Sequence, residues 1–423
     1  MTVLDRMPPL VLAIAMLLSG GNIQAADWRD FRGPGGQGHA VAHDLPVELG
    51  ETTNLTWKTR LPGIGWSSPV VCAGQIWMTT ATDDGHSLRV LCVDFNSGRL
   101  VHDIEVLVPD QPAPINSKNS YASPSPVIEP GRVYVNFGTM GTACVDTSDG
   151  KVVWTNTTLH IEHKEGPGSS PILFDDFVIM NFDGMDAQFV VAYDKFNGKV
   201  VWRTDRTGEK DPKPDFRKAY STPLLINVNG TPQLLSTGAH QIVAYDPRDG
   251  AELWKVRYNG FSNVPRPVYQ DGVTYFSTGF QKPELWAVRG DADALGDLTD
   301  ARVLWEFNRQ VPATSSPILV RGRIYMASDR GVATCVDAAT GTAVWQDRLE
   351  GNYSASPIYA DGKLYFSSEQ GQVTVFKPKD ELKPLAVNQL NDRLMASPAV
   401  VGKSLIFRTE KGLWRFDKAI PGS

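Results

Sequence analysis

A phrase of eleven residues recurs along this chain and limits what the chain can fold into. AYDKFNGKVVW (192–202) returns as AYDPRDGAELW (244–254), CVDTSDGKVVW (144–154) and CVDAATGTAVW (335–345). A second phrase also recurs, with a Ser or Thr before a Pro, an apolar run, a Gly or Asp, and a further apolar run. Its prolines stand 40 to 57 residues apart, and a period in the forties is typical of β-propellers. They are Pro69, Pro126, Pro171, Pro223, Pro267, Pro317, Pro357 and Pro398.

Each repeat divides into four short strands by its alternation and turn residues. In the sixth repeat the strands are SPILV, RIYMAS, VATCVD and AVWQDR. Gly341 of the last turn accepts a positive φ without a Cβ clash, and the Trp that follows begins the fourth strand. Burying one such indole contributes roughly 4 to 6 kcal/mol before entropy, so we predict that these residues dock one blade on the next. The predicted docking residues are Trp57, Trp154, Trp202, Trp254, Trp305 and Trp345.

The two ends of the chain predict how the repeats close. The eighth repeat supplies only three strands before the chain ends, whereas NLTWKTRLPG, before the first repeat, reads as a lone fourth strand carrying Trp57. Joining them would close the ring and remove its exposed edges. We therefore expect an all-β fold, an eight-bladed β-propeller of four-stranded antiparallel blades over 54–418, closed by an N-terminal outer strand in the last blade. Seven blades and a β-solenoid are the alternatives.

The first residues have the layout of a secretory signal peptide. Arg6 precedes an apolar stretch from Leu10 to Leu18, which is too short to span a membrane, and small residues follow around Ala25. We expect a signal peptide over 1–26, an N-terminal arm over 27–53 pinned to the ring by Trp28 and Phe31, and a tail over 419–423. This predicts export to the periplasm or outside the cell, with no transmembrane segment after cleavage; an uncleaved anchor is the lesser alternative.

Composition and cysteine usage narrow the class of protein. The net charge is -6 with no run of Lys or Arg, so nucleic acid is not an expected partner. Four cysteines are too few to build the fold by disulfides, and Cys92, Cys144 and Cys335 occupy one place in the repeat where other copies carry Ala. We interpret them as small core residues, with a Cys72–Cys92 bridge as the alternative.

These phrases resemble the PQQ-like repeat family of eight-bladed propellers related to quinoprotein alcohol dehydrogenases. AYDKFNGKVVW is similar to the tryptophan-docking motif of that family, and the resemblance covers nearly the whole mature chain. DWRDFRGPGGQG (27–38) and GDLTDARVLWEF (296–307) resemble a secreted bacterial branch. In length the chain is similar to the propeller lipoprotein of the outer-membrane β-barrel assembly machinery, although it lacks the lipid-bearing Cys of such proteins.

For the dehydrogenases, the resemblance implies PQQ held by a disulfide between adjacent cysteines, an aromatic floor, a Ca²⁺ site and a catalytic Asp. No two cysteines are adjacent in this chain, and those residues cannot be placed one by one. We therefore assign no catalytic residue and expect no cofactor. For the lipoprotein, the resemblance implies binding of protein partners without chemistry.

Long connections between blades are expected to share one face, where loops usually carry binding. They are 103–120, 159–168 and 203–219. Aromatic residues recur just before the innermost strands and would either plug the channel mouth or form a ligand platform. Arg266 replaces the usual small residue at such a place and would attract an anion or, preferably, pair with a carboxylate. The candidate ligand-binding residues are Trp66, Tyr121, Tyr220, Arg266 and Tyr353.

Two loops offer weak metal candidates, and we predict no metal site. Asp291, Asp293 and Asp297 are spaced somewhat like a Ca²⁺ loop, but Leu295 and Arg302 stand where oxygen ligands belong. His160 and His163 lie in a polar loop, where such pairs are usually solvated.

The sequence leaves three functional hypotheses. The first is an exported, non-enzymatic scaffold that binds a protein or polysaccharide of the cell envelope on its loop face. The second is a PQQ- and Ca²⁺-dependent quinoprotein oxidoreductase acting on alcohols or sugars. The third is a carbohydrate-binding or lyase-like propeller.

Overall fold

The computed structural model describes residues 27–419, and these residues form eight antiparallel sheets arranged as the blades of one propeller. The predicted all-β, eight-bladed fold is confirmed, and the helical content of the described residues is limited to three short 3₁₀ segments. The predicted signal peptide and all but the first residue of the predicted tail lie outside the described residues. Within 27–419 no helix has the length and apolar character needed to cross a membrane.

The elements are numbered in chain order. The N-terminal arm contains a 3₁₀ helix (Pro34–Gly36) and one strand, β1 (His39–Ala40), and β2 (Leu55–Arg60) follows the arm. Blade 1 has β3 (Val70–Cys72), β4 (Gln75–Ala81), β5 (Leu88–Asp94) and β6 (Leu100–Leu107). Blade 2 has β7 (Val127–Glu129), β8 (Arg132–Asn136), a 3₁₀ helix (Gly138–Met140), β9 (Thr142–Asp146) and β10 (Val152–Asn156). Blade 3 has β11 (Ile172–Phe174), β12 (Phe177–Asp183), β13 (Gln188–Asp194) and β14 (Val200–Asp205).

The second half of the ring follows the same order. A 3₁₀ helix (Pro214–Arg217) leads to blade 4, with β15 (Leu224–Val228), β16 (Thr231–Gly238), β17 (Gln241–Tyr245) and β18 (Glu252–Arg257). Blade 5 has β19 (Val268–Gln270), β20 (Val273–Ser277), β21 (Leu285–Arg289) and β23 (Val303–Phe307), with β22 (Gly296–Asp297) inserted before β23. Blade 6 has β24 (Ile318–Val320), β25 (Arg323–Ala327), β26 (Val332–Asp337) and β27 (Ala343–Arg348). Blade 7 has β28 (Ile358–Ala360), β29 (Lys363–Ser367), β30 (Gln372–Phe376) and β31 (Pro384–Gln389). Blade 8 has β32 (Ala399–Val401), β33 (Ser404–Arg408) and β34 (Gly412–Asp417).

The N-terminal strand completes the last blade, as predicted. β2 pairs antiparallel with β34, so that Trp57 lies opposite Arg415 and Lys58 opposite Trp414. Two further short strands widen their sheets, since β1 pairs parallel with β28 and β22 pairs parallel with β18. Closure by the two ends of the chain leaves the ring without a gap between its last and first blades.

The repeated phrase docks each blade on the next through an indole and a glycine. A Cβ placed on Gly341 would lie 2.6 Å from the ring of Trp305, so the absence of a side chain on this positive-φ residue lets the neighbouring blade approach. Trp305 also donates its Nε1–H to the carbonyl of Ala338 at 3.1 Å. The same contact recurs between Trp57 and Gly98, Trp154 and Gly198, and Trp202 and Gly250.

The remaining blades vary this arrangement. Trp254 is fully buried against Gly290, and Trp345 donates to the carbonyl of Lys379 at 3.0 Å. In blade 1, His102 takes the place of the indole and stacks on Trp77 with ring centroids 5.8 Å apart. Each of the predicted docking tryptophans therefore contacts the blade that follows it, and their role in holding the blades together stays a prediction.

All four cysteines are buried free thiols. The alternative Cys72–Cys92 bridge is therefore wrong. Cys144 pairs with Trp154 and Cys335 with Trp345 across neighbouring strands, a place that Ala192 takes opposite Trp202. A small side chain is needed there because the indole crosses the sheet surface directly above it.

Candidate functional site

The Ser or Thr before each repeated Pro forms a hydrogen-bonded ring around the propeller axis. In seven of the eight blades its side-chain oxygen accepts the backbone N–H of the equivalent residue one blade earlier, at 2.8 to 3.0 Å. The bond from Ser397 to Ser68 crosses the seam between the last and first blades. The accepting residues are Ser68, Ser125, Ser170, Thr222, Ser316, Ser356 and Ser397. This explains the hydroxyl in the repeat, because each buried N–H would otherwise lack an acceptor.

Arg266 holds the eighth place and binds the N-terminal arm instead. Its backbone N–H donates to Ser316 Oγ at 3.0 Å, and its guanidinium donates twice to the carbonyl of Pro223, at 3.1 and 2.8 Å. The same guanidinium reaches the Phe31 carbonyl at 2.6 Å and a carboxylate oxygen of Asp30 at 3.3 Å. Burial raises the pKa of Asp30, and the opposing charge of Arg266 limits that rise. Of the two roles expected for Arg266, the structure therefore shows the carboxylate pair.

The arm crosses the axis beneath the ring, touching the innermost strands a few residues beyond it. Trp28 is almost completely buried and exchanges two backbone hydrogen bonds with Val71, at 2.9 and 2.7 Å. Farther along, the Gly38 carbonyl accepts from Tyr359 at 2.8 Å, and the arm enters the sheet as β1. Gly33 has a positive φ, and a Cβ there would lie 2.5 Å from Trp28. Gly33 therefore allows the arm to pack closely against Trp28.

A cavity of about 490 Å³ opens above this ring on the face of the blade-to-blade connections. Phe31 of the arm and the ring hydroxyls line its inner part, and the connections around 116–119, 165–168, 215–220 and 261–264 line its mouth. The 2-to-3 connection of blade 5 also reaches the mouth at Phe280. The two kinds of connection therefore share one face.

The structure brings only some of the candidate aromatics to this cavity. Trp66 and Tyr220 lie in its wall. Tyr353 is buried among core residues of blades 6 and 7, and Tyr121 packs across Gly85, whose Cβ would lie 2.7 Å from the phenol ring. Tyr121, Arg266 and Tyr353 are not among the lining residues, although all three flank the ring in sequence.

A cluster of charged residues, built around the buried Lys218, lies on one side of the mouth. Lys218 Nζ donates to both carboxylate oxygens of Glu165 at 2.9 Å and lies 3.4 Å from Asp215. Tyr220 donates its hydroxyl proton to the same Glu165 carboxylate. Burial alone would raise the pKa of Glu165, but the hydrogen bonds from Tyr220 and Lys218 outweigh it and lower that pKa. Burial and the bond to Glu165 raise the pKa of Tyr220, so this phenol stays protonated.

A second cluster braces the opposite side. Glu369 accepts from Lys118 at 2.8 Å and from Ser354 at 2.6 Å, and burial, which would raise its pKa, is outweighed by these partners. The Arg393 guanidinium lies 5.2 Å from the centre of the Trp66 ring, within the range of a cation–π interaction. These contacts fix Trp66 and the loops around it.

Three phenylalanines at the mouth were missed by the sequence reading. Phe216 stacks on Phe261 with ring centroids 4.3 Å apart, and Phe261 meets Phe280 edge-on at 6.2 Å. Phe280 remains 56% exposed. The one sequence feature that could have identified them is their position, because each follows a fourth or second strand of the repeat. They share no spacing, however, and none stands directly before a Ser-Pro phrase.

The acidic loop weighed as a metal candidate is held by arginines, whereas neither ring nitrogen of His163 has a hydrogen-bond partner among the described residues. Asp291 and Asp293 each accept from Arg302, at 3.0 and 3.1 Å, and Asp297 lies 3.1 Å from Arg257. His163 is buried, and that burial lowers its pKa. Among residues 27–419, no group of three or more His, Cys, Asp or Glu side chains is placed to hold a metal ion.

The residues around the cavity do not fit the PQQ and Ca²⁺ arrangement that the quinoprotein resemblance implies. The four cysteines lie inside the sheets as free thiols, so none borders the cavity as a disulfide platform. The acidic side chains at the mouth, Glu165, Asp215 and Glu369, are engaged by lysines. We derive no catalytic step through such a group.

The sequence of this chain is similar to a known protein family and to one of its members. The family described as outer membrane protein assembly factor BamB matches residues 40–170 and 186–419. Outer membrane protein assembly factor BamB of Yersinia pestis is 25% identical over 168 residues, which are 38% of this chain and 39% of that protein. The match therefore spans well under half the length of that relative.

Solved structures share the architecture at low sequence identity. BamB from Moraxella catarrhalis has a TM-score of 0.58 and 13% identity, with 86% of this chain and 99% of that chain covered. A quinohemoprotein alcohol dehydrogenase from Pseudomonas putida HK5 has a TM-score of 0.60 and 12% identity, over 93% of this chain and 80% of that chain. A europium-containing methanol dehydrogenase has a TM-score of 0.55 and 12% identity, over 92% and 90%. At these identities the likeness establishes the fold alone.

Proposed function

The chain belongs to the family of outer membrane protein assembly factor BamB, and from that premise we propose that it is an exported, non-enzymatic scaffold. Its partner is a protein of the cell envelope, bound on the face where the long blade-to-blade connections meet. The observation that carries this proposal is the exposed phenylalanine cluster at the cavity mouth, set on loops that the rigid ring holds in place. The matched relatives give no support for a polysaccharide partner, so we propose a protein partner only.

The phenylalanine cluster has the properties of a protein-binding centre. Phe280 is more than half exposed, and Phe261 behind it is sandwiched against Phe216, so the exposed ring rests on a fixed base. Aromatic residues are enriched at the centres of protein interfaces because they bury a large area at low entropic cost. Lys118, Asn116 and Gln281 supply a polar border on the same mouth.

The test is site-specific photo-crosslinking in an envelope extract of the source cell. A crosslinking residue at position 280 is compared with one at position 196, because Phe196 is 60% exposed but lies in the strand 3-to-4 turn on the opposite face. We expect one abundant protein adduct from position 280 and none from position 196. Equal amounts of adduct from both positions would contradict the assignment of the partner to this face.

Substitutions test the same surface without a crosslinker. Phe280→Ser is expected to reduce capture of that partner at least about tenfold, as for a central interface aromatic. Phe196→Ser is the matched control and should leave capture unchanged. Trp66→Ala, Tyr121→Ala and Tyr220→Ala extend the test to the residues chosen from sequence. Unchanged capture in Phe280→Ser and all three would contradict the scaffold proposal.

Export to the periplasm is part of the proposal and is tested separately. We expect residues 1–26 to be removed, so that the mature chain begins near Ala26 or Asp27. Mass spectrometry of the protein recovered from the periplasmic fraction measures its first residue. A chain that retains Met1 and fractionates with the membrane would favour the uncleaved anchor.

The quinoprotein alternative remains a prediction with its own test. Purified protein is titrated with PQQ and Ca²⁺ while its absorbance and the reduction of a dye by alcohols or sugars are followed. The scaffold proposal expects no saturable reduction. Saturable, substrate-dependent reduction would overturn it.

A further inference from the structure

The ring hydroxyls have protons that the protein does not use. Each of the seven side-chain oxygens accepts one N–H from the preceding blade, yet among residues 27–419 none donates to a hydrogen-bond acceptor. All seven are almost fully buried and line the cavity. A hydroxyl is one donor and two acceptor sites, so the inner cavity is surrounded by unused O–H donors.

Two buried arginines lie beneath the ring, although neither of them lines the cavity. Arg266 and Arg32 are both completely buried in or beside the arm, and Asp30 is the carboxylate paired there, with Arg266. The three guanidinium nitrogens of Arg32 have no hydrogen-bond partner among the described residues. A Cβ on Gly38 would lie 2.8 Å from Arg32 Nη2 and 3.0 Å from the carbonyl of Pro357, the residue after ring member Ser356. Arg32 therefore lies next to the ring.

Arg32 keeps its positive charge, and no carboxylate among the described residues pairs with it. Burial and the nearby Arg266 lower the pKa of Arg32 to about 9, which leaves it cationic at neutral pH. At the mouth, Lys218 and Lys118 are matched by Glu165, Asp215 and Glu369, so the acidic groups there are already neutralised. A buried cation without a partner favours a nearby anion strongly, because the surroundings screen it poorly.

The wall above the ring is apolar. Trp66, Val264 and Met395 line it, and the cavity volume of about 490 Å³ lies within the range of small-molecule sites. An inner end lined by unused O–H donors, with the buried arginines beneath the ring, is joined to an apolar wall. This arrangement is complementary to a molecule with an anionic head and an apolar body.

We propose that the axial cavity binds a small organic carboxylate, with its oxygens accepting from the ring hydroxyls and its apolar body against Trp66 and Met395. The site is distinct from the protein-binding role, because it needs the ring and the arm, whereas partner capture is assigned to the exposed rim at Phe280.

The test compares 3-phenylpropionate with its neutral isostere 3-phenylpropanamide by isothermal titration calorimetry on the full mature chain. The two probes share shape and apolar body, so the difference isolates the anionic head. We expect the carboxylate to bind at least about tenfold more tightly than the amide, the effect of a charge-assisted contact set. Equal affinity of the two probes, or binding of neither, would overturn the proposal.

Variants identify the groups responsible. Arg32→Met removes the buried charge and should weaken 3-phenylpropionate about tenfold, while Arg29→Met removes an exposed arginine of the same arm, paired with Asp27, and should change nothing. Ser170→Ala removes one donor and should weaken binding, while Ser170→Thr keeps it, as Thr222 does in blade 4. Thermal melts show which variants remain folded, and the probe comparison on the unaltered chain needs no variant. Loss of binding in Arg29→Met equal to that in Arg32→Met would contradict the assigned charge.

Failure here and failure of the scaffold proposal are separable. Carboxylate binding without partner capture would support the carboxylate site and contradict the scaffold proposal. Partner capture without carboxylate binding would support the scaffold proposal and contradict the carboxylate site.

Discussion

The backbone N–H of Ser397 donates to the side-chain oxygen of Ser68 at 3.0 Å, although 329 positions separate the two residues in sequence. This bond is one of seven equivalent bonds around the axis, a series interrupted where Arg266 replaces the hydroxyl, and β2 closes the outer edge of the same seam against β34. Closure therefore occurs at two radii, through a hydroxyl near the axis and a strand at the rim. A ring joined at both radii resists opening between its last and first blades.

The first prediction concerns two glycines of blade 6 that differ only in their surroundings. Gly341 and Gly322 have φ of 71° and 74°, but a Cβ on Gly341 would meet Trp305 at 2.6 Å, whereas one on Gly322 would meet nothing within 4 Å. Gly322→Ala should cost about 1 to 2 kcal/mol of unfolding free energy from backbone strain alone. Gly341→Ala should cost roughly 1 to 3 kcal/mol more, because the docked indole must shift. Urea unfolding measures both, and equal losses would show that the indole contact does not constrain Gly341.

The second prediction concerns the ring as a structural element. Ser356→Ala leaves the buried N–H of Ser316 without its acceptor and should reduce the unfolding free energy by about 1 to 3 kcal/mol. Ser356→Thr keeps the oxygen and is the control, since Thr222 fills the same place in another blade. Denaturant unfolding of the two variants gives the comparison. A Ser356→Ala protein as stable as the Ser356→Thr protein would mean that the ring bonds do not stabilise the fold.

The third prediction concerns the anchor of the N-terminal arm. Arg266→Met removes the guanidinium from Asp30 and from the carbonyls of Phe31 and Pro223, leaving the Asp30 carboxylate, whose side chain is 25% exposed, without its partner. Breaking a fully buried pair costs about 3 to 5 kcal/mol, and the partial exposure of Asp30 places the expected loss at the lower end, about 3 kcal/mol. Hydrogen exchange should therefore accelerate at the amides of Trp28 and Val71, which pair the arm with blade 1. The exposed pair of Arg257 with Asp297 supplies the control variant Arg257→Met, which should leave this exchange slow.

The fourth prediction concerns the pH dependence of stability. The pKa of Glu165 in the folded chain lies below its ordinary value of 4.5, because the hydrogen bonds from Tyr220 and Lys218 outweigh the effect of burial. The cluster therefore stabilises the fold fully above pH 4.5, and this contribution is lost as the pH falls through the lowered pKa. Unfolding midpoints measured from pH 7 downward should fall more steeply in the unaltered chain than in Glu165→Gln. Glu51→Gln, which alters an exposed pair with Lys58, should follow the unaltered chain.

Much of the fold was predictable because the contacts that form it are short-range and recur in every repeat. The Asp and Gly of each hairpin, the Trp that follows and the Ser before each Pro act within one blade or on the next, so their spacing alone predicted eight blades. Trp57 standing outside any complete repeat predicted the closure of the last blade. The ring of bonds was not predicted, since the sequence shows a Ser before each Pro but not the direction in which its oxygen points.

The candidate site was predictable only in part. Trp66 and Tyr220 reach the cavity, but Tyr353 is turned into the core between blades and Tyr121 across Gly85, although all four precede the same phrase. Phe216, Phe261 and Phe280 meet at the mouth from different connections and carry no common spacing.

The sequence by itself determined the number of blades, their docking and the joining of the chain ends, because periodic short-range contacts repeat wherever the phrase does. Only the tertiary structure decided which loop side chains meet above the axis and that the arm carries Arg32 and Phe31 beneath it. The physical reason is that ring closure brings residues of separate repeats together, and the irregular connections that carry them follow the local packing of each loop.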